Sequence, residues 1–173
     1  MNIVLLGYRG TGKSAVADIL SKKLGREVFS IDHMIVETAG MAIPQMVEKS
    51  GWTRFREIES QMVEKAAAQA RDAIIDCGGG VALNDNNILH LKRGGKTVLL
   101  QASLEVIIDR IRDDGNRPPL ESGLSFEEEQ RRVLSERQAK YDAAADFKCD
   151  TASTSPEETA ETIIKHFTDN SWL

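Results

Sequence analysis

Cysteine is nearly absent from this chain of 173 residues, and the two present, Cys77 and Cys149, form neither a metal-ligand spacing nor a disulfide framework. Both lie in strand-like apolar surroundings and are read as small buried residues without chemistry. A reactive thiol is the alternative for Cys77, which adjoins a glycine run. Long hydrophobic runs are missing too, which excludes a membrane-spanning helix. The N-terminal apolar run is a few residues long and carries no basic leader, so a soluble, cytoplasmic protein without membrane contact is expected. Positive charge is in deficit, with 22 Lys and Arg against 27 Asp and Glu for a formal net charge of -5. That argues against a nucleic-acid partner and requires any anion site to be local. The three histidines, His33, His90 and His166, are scattered and read as surface or packing residues. No internal repeat is found.

What is present points to one compact unit. The length fits one domain over residues 1–173, expected as a monomer, that buries about 70% of its unfolded surface around one core. Apolar runs at Ile3 to Leu6, Val28 to Ile31, Ala73 to Cys77, Thr97 to Gln101 and Phe147 to Cys149 read as buried strands. Helical patterns separate them. Val16, Ile19, Leu20 and Leu24 fall at helical spacing, with Gly25 where a left-handed cap belongs. Helices also fit Pro44 to Lys49 and Trp52 to Ala70, parted by Gly51. Ser103 caps a helix over Leu104 to Arg112, Ser125 and Glu128 form a capping box for a helix to about Tyr141, and Ser155-Pro156-Glu157-Glu158 opens the last one. Alternating strands and helices predict an α/β fold whose mostly parallel sheet is covered on both faces.

The strand at Ile3 to Leu6 runs into Gly7-Tyr8-Arg9-Gly10-Thr11-Gly12-Lys13-Ser14, which is Gly-x-x-x-x-Gly-Lys-Ser. The glycines let successive N–H groups turn around phosphate oxygens, and the helix opening at Ser14-Ala15 presents its positive end to the anion. Lys13 is expected to reach the β and γ phosphates and Ser14 to place its hydroxyl on Mg²⁺. A ligand-free glycine turn is the alternative. The loop alone does not separate kinase, GTPase and ATPase.

Other residues narrow the choice. Asp32 follows the second strand, where it either caps the next helix or receives an acceptor hydroxyl. Gly78-Gly79-Gly80 ends the third strand, either as a tight turn or as backbone that a ligand approaches closely. Asp76 closes an apolar run in the manner of a residue that holds Mg²⁺ through water. Arg56, with Glu59 three residues on, is either an exposed helical salt bridge or an oriented fork for a substrate carboxylate. Trp52, beside Gly51, either packs in the core or edges a site. The breaker-rich stretch from Gly115 to Leu124 is a solvated connection or a lid that brings Arg117 to the phosphates. Asp76-Cys77-Gly78-Gly79 fits the Asp-x-x-Gly of a GTPase, but Asn-Lys-x-Asp is nowhere in the chain.

Taken in order, the phosphate loop, the Asp32 region, Phe55-Arg56-x-Ile58-Glu59, the three glycines, Arg117-Pro118 and Arg137-x-x-x-Tyr141 resemble the shikimate kinase family over nearly the full chain. The resemblance implies a three-layer P-loop kinase fold with a central five-stranded parallel sheet, substrate-binding helices at about 32–62 and a lid at about 113–125. It implies transfer of the ATP γ-phosphate to the 3-hydroxyl of shikimate. Asp32, Lys13 and Arg117 would then be catalytic. Gly10, Thr11, Gly12, Lys13, Ser14, Ala15 and Arg117 would hold the phosphates, with Arg110 and Ser153 beside adenine. Asp32, Arg56, Arg137 and Gly78 to Gly80 would bind shikimate. Ser30 departs from the family pattern, which commonly has a Mg²⁺-linked aspartate there, so Asp76 is expected to supply that charge from the neighbouring strand. Other small-molecule kinases and a non-catalytic sensor of shikimate or nucleotide are the competing readings.

Overall fold

The computed structural model describes residues 1–113, 119–121 and 123–173. Five strands, β1 (Asn2–Leu6), β2 (Val28–Ser30), β3 (Ile74–Asp76), β4 (Gly95–Gln101) and β5 (Phe147–Asp150), form one sheet in the order β2-β3-β1-β4-β5. Every pairing is parallel. Seven α-helices accompany it among the described residues: α1 (Lys13–Leu24), α2 (Ile31–Ala39), α3 (Ile43–Gln69), α4 (Asp85–Lys92), α5 (Leu104–Ile111), α6 (Phe126–Ala144) and α7 (Pro156–Asp169).

The central strand β1 is apolar at four successive positions because both of its faces are covered. Val4 and Leu6 join Ile75 and Leu99 beneath Ile35, Phe55, Val63 and Tyr141, on the side of α2, α3 and α6. Ile3 and Leu5 join Ile74, Val98 and Leu100 against Val16 and Leu20 of α1 and Ile163 and Phe167 of α7. Strand order reverses about β1, so the crevice outside the carboxyl ends of β1, β2 and β3 is where a ligand belongs in this topology.

The local signals hold at most helix ends. Gly25 and Gly40 close α1 and α2 in the left-handed conformation. Ser125 with Glu128 and Ser155 with Glu158 make both capping boxes, and α6 continues three residues past Tyr141. Gly51 breaks α3 at φ 76°, ψ 168°, so this span holds the two expected helices meeting at a kink.

The entrance to α2 differs from expectation. Strand β2 ends at Ser30, not Ile31, and the Ser30 hydroxyl accepts from the His33 N–H at 3.4 Å. Ser30 is therefore the cap, and Asp32, assigned that role as an alternative, is the second residue of the helix. Ile31 is fully buried as the first helical residue, so its apolar character serves the core from the helix and not from the strand. Helix α4 has no counterpart in the sequence reading. Its buried face is short and Leu89 is exposed, which hides the period, though Asn84 caps it by accepting from Asn86.

Candidate active site

The phosphate loop connects β1 to α1, and Gly7, Gly10 and Gly12 all have positive φ there. Its lysine folds back over it: Lys13 Nζ donates to the carbonyls of Gly7 and Tyr8 at 2.9 and 3.0 Å. The Thr11 hydroxyl donates to the same Tyr8 carbonyl at 2.8 Å. Ser14 Oγ donates to Asp76 Oδ2 at 2.7 Å, linking the first turn of α1 to the end of β3. Asp76 is buried, and that burial pushes its carboxyl above the usual range although the Ser14 bond and the nearby Lys13 charge pull the other way. Ser30 and Asp76 are register partners across β2 and β3. A carboxylate on either residue thus starts from the same level of the sheet edge.

At the outer side of the loop, Arg110 from α5 donates to the Gly10 carbonyl at 3.1 Å and to the Thr151 carbonyl at 2.6 Å. Thr151 is buried, and its hydroxyl donates to the Thr11 carbonyl at 3.0 Å. The guanidinium is therefore fixed between the phosphate loop and the segment that contains Ser153, which is exposed. Thr151 escapes a reading of the sequence because its partners lie 140 and 41 residues away.

Beside the loop is a cleft of about 100 Å³, lined in part by Asp32, Arg56, Glu59, Gly78, Gly79, Gly80 and Arg137. One guanidinium nitrogen of Arg56, Nη1, donates to both oxygens of Glu59 at 2.9 Å. Its Cζ stands 5.2 Å from the ring centres of Trp52 and Phe55. Glu59 is fully buried while Arg56 is partly open to the cleft, so this is no surface pair. Burial raises the Glu59 carboxyl above its ordinary range even with Arg56 beside it. The glycines have a packing reason: a Cβ on Gly80 would fall inside the Arg56 guanidinium, and one on Gly78 would sit 2.7 Å from Asp32 Oδ1. Arg137 reaches the cleft from α6 and lies 5.8 Å from the Tyr8 ring centre. Tyr141, one turn on, donates to the Gly79 carbonyl at 2.6 Å.

Asp32, Arg56, Arg137 and the three glycines thus come together, from α2, α3, α6 and the β3 turn. Arg117 and residues 114–118 and 122 of the lid expected at about 113–125 lie outside the described residues. Two further lining residues are settled by the structure. Arg9, which the sequence does not single out, faces the cleft from inside the phosphate loop, so three guanidinium groups meet two carboxylates, Asp32 and Glu59, among the described lining residues. Trp52 edges the cleft and does not bury itself in the core, its indole N–H donating to the Pro119 carbonyl at 3.1 Å. Cys77 and Cys149 are buried free thiols, both pushed up by burial, Cys149 to about 11.

The model of the family described as shikimate kinase matches residues 9–168. The chain belongs to the shikimate kinase family. A shikimate kinase of Thermodesulfovibrio yellowstonii is 40% identical over 166 residues, covering 96% of this chain and 94% of its own length. The shikimate kinase of Acinetobacter baumannii, solved in complex with shikimate, superposes with a TM-score of 0.92 at 30% identity, covering 99% and 95% of the two chains. That of Aquifex aeolicus gives 0.85 at 30% identity, covering 99% and 98%. As a shikimate kinase the chain is an ATP-dependent enzyme of the P-loop kinase fold with a small-molecule substrate, which removes the GTPase reading. Among the described residues, no helix is long and apolar enough to cross a membrane.

Proposed function

We propose that this shikimate kinase transfers the γ-phosphate of ATP to the 3-hydroxyl of shikimate, and that the cleft holding Asp32, Arg56 and Arg137 beside the phosphate loop receives the acid. The observation that carries the reading is the Arg56–Glu59 pair. Glu59 occupies only Nη1, which leaves the other donors of a pre-oriented fork for a second carboxylate. Asp32, at the mouth of α2 and close against Gly78, orients the acceptor hydroxyl and takes its proton.

On the donor side, the amides of Gly10, Thr11, Gly12, Lys13, Ser14 and Ala15 bind the phosphates. Lys13 exchanges its two loop carbonyls for phosphate oxygens, and Arg117 adds positive charge from the lid. Arg110 and Ser153 flank adenine. The Ser14 hydroxyl and the Asp76 carboxylate are hard oxygen donors 2.7 Å apart, a set that suits Mg²⁺. Mg²⁺ there would neutralise charge on the β and γ phosphates. Asp76 would hold it through water, in place of a carboxylate at Ser30. The enzyme acts as a cytoplasmic monomer without a nucleic-acid partner.

The test is a coupled assay of ADP release with and without shikimate, across a Mg²⁺ series, with the product identified by mass spectrometry. Shikimate-dependent ADP release and a singly phosphorylated acid are expected. Absence of shikimate-dependent ADP release at every Mg²⁺ concentration would overturn the proposal, and binding of shikimate or nucleotide with no ADP release at all would favour the sensor.

A further inference from the structure

A line of buried polar groups joins the phosphate loop to the wall of the acceptor cleft. Tyr8, whose side chain is buried, donates its hydroxyl to Gln130 Oε1 at 2.6 Å. Gln130, completely buried in the first turns of α6, donates Nε2 to Glu129 Oε2 at 2.8 Å. Glu129 turns its other oxygen outward, where Oε1 accepts from the backbone N–H groups of both Leu120 and Glu121, the latter at 2.8 Å. Leu120 lines the acceptor cleft together with Trp52, which is itself bonded to Pro119. The direction of the line is fixed by chemistry: a carboxylate only accepts, so the Gln130 amide nitrogen must face Glu129 and its oxygen must face the Tyr8 hydroxyl.

None of these three side chains is needed to fill space in this way. Apolar residues would pack at the same positions without the two buried bonds that join these side chains, and leaving any one of the groups unpaired is costly. We infer that Glu129, acting through Gln130 and Tyr8, is a positioning residue that holds the Leu120 wall of the acceptor cleft in fixed relation to the phosphate loop. This rests on the acceptor cleft proposed above. Cutting the line frees the wall, weakens acceptor binding and leaves the chemical step comparatively intact.

Trp52 provides a readout independent of turnover. The chain has two tryptophans, so a Trp172→Phe background leaves Trp52 as the sole indole reporter of the wall. In that background Glu129→Ala should alter Trp52 emission without any ligand and raise the shikimate KM roughly tenfold, as expected for losing a buried charge-assisted anchor, with a smaller change in kcat. Tyr8→Phe, which removes one hydroxyl and little volume, should do the same to a lesser extent, about two- to fivefold.

Glu129→Gln should restore both readouts to within about threefold, because its amide oxygen can take the two backbone N–H groups while Gln130 turns over and Tyr8 accepts instead of donating. Combining Glu129→Gln with Tyr8→Phe should cancel that rescue, since a phenyl ring in place of the phenol offers no acceptor. Unchanged emission and an unchanged shikimate KM in Glu129→Ala, with only the melting temperature lowered, would reduce the line to packing and overturn the inference. So would Glu129→Gln behaving no better than alanine. If the unsubstituted enzyme fails to phosphorylate shikimate, the proposed function falls, whereas the ligand-free emission of the variants still decides the positioning role.

Discussion

The two halves of the site are built on different principles. The phosphate half is one contiguous loop whose proposed binding groups are mostly backbone amides, shaped by Gly7, Gly10 and Gly12 at positive φ. The acceptor half is assembled from side chains of α2, α3 and α6 and one glycine turn, each presented by a different element. Backbone amides suit an anion common to all nucleotides and tolerate sequence change around them. On the proposed reading dispersed groups define one small acid, and two of them are held by a neighbour: the Arg56 guanidinium by Glu59 and the Gly79 carbonyl by Tyr141. Single substitutions should therefore separate chemistry from recognition more cleanly in the acceptor half than in the loop.

The hardest way to break the comparison is through Asp32. Asp32→Asn should lower kcat by a hundredfold or more with a modest change in shikimate KM, since it removes the proposed proton acceptor and retains the volume. Steady-state kinetics with shikimate varied at saturating ATP measure both. Arg56→Ala should show the opposite pattern, raising the shikimate KM roughly 10- to 100-fold while kcat changes by a few-fold, as expected for one charge-assisted contact to a carboxylate. Equal, small effects of the two substitutions would erase the distinction between chemistry and recognition.

Asp76 lies between the halves. Asp76→Asn should raise the Mg²⁺ concentration for half-maximal activity roughly tenfold, the usual cost of losing a group that orients a metal ligand. Because Ser30 and Asp76 are register partners, Ser30→Asp combined with Asp76→Ser should recover most of the Mg²⁺ response. Aspartate caps helices as well as serine does, so the entrance to α2 should survive the exchange. An Asp76→Asn enzyme with an unaltered Mg²⁺ titration would remove Asp76 from the metal's surroundings.

The same contrast governs what can be read from the sequence. The loop, the strand runs and both capping boxes are local patterns, and residues a few positions apart decide them. Asp32, Arg56 and Arg137 are single residues with ordinary alternatives, and only their resemblance to a family groups them. Helix α4 is invisible because its exposed Leu89 breaks the apolar period. The contacts of Thr151, and the bond between Tyr8 and Gln130 across 122 residues, depend on which elements the sheet order brings together. No spacing along the chain encodes such meetings. Ser30 as a cap is hidden for a smaller reason: the apolar character of Ile31 extends the strand pattern one residue beyond the strand itself.

The smallest effect concerns the buried member of the acceptor half. Burial raises the Glu59 carboxyl, so the folded chain binds this proton more readily than the unfolded chain. The stability linked to it is fully present below the ordinary carboxylate value and is lost as pH rises through the raised value. Above that value ionised Glu59 is a cost to the fold, retained because it orients Arg56. Glu59→Gln keeps the volume and one acceptor for Nη1 while removing the charge. Its melting temperature at pH 7 should equal or exceed that of the parent, and the gap should close as pH falls and the parent's carboxyl is protonated. The shikimate KM should rise a few-fold, because one bond to the guanidinium holds it less firmly than two. Thermal melts from pH 8 to pH 5 beside steady-state kinetics test both parts. A Glu59→Gln enzyme that is less stable at pH 7 with an unchanged KM would mean that Glu59 serves the fold and not the acceptor.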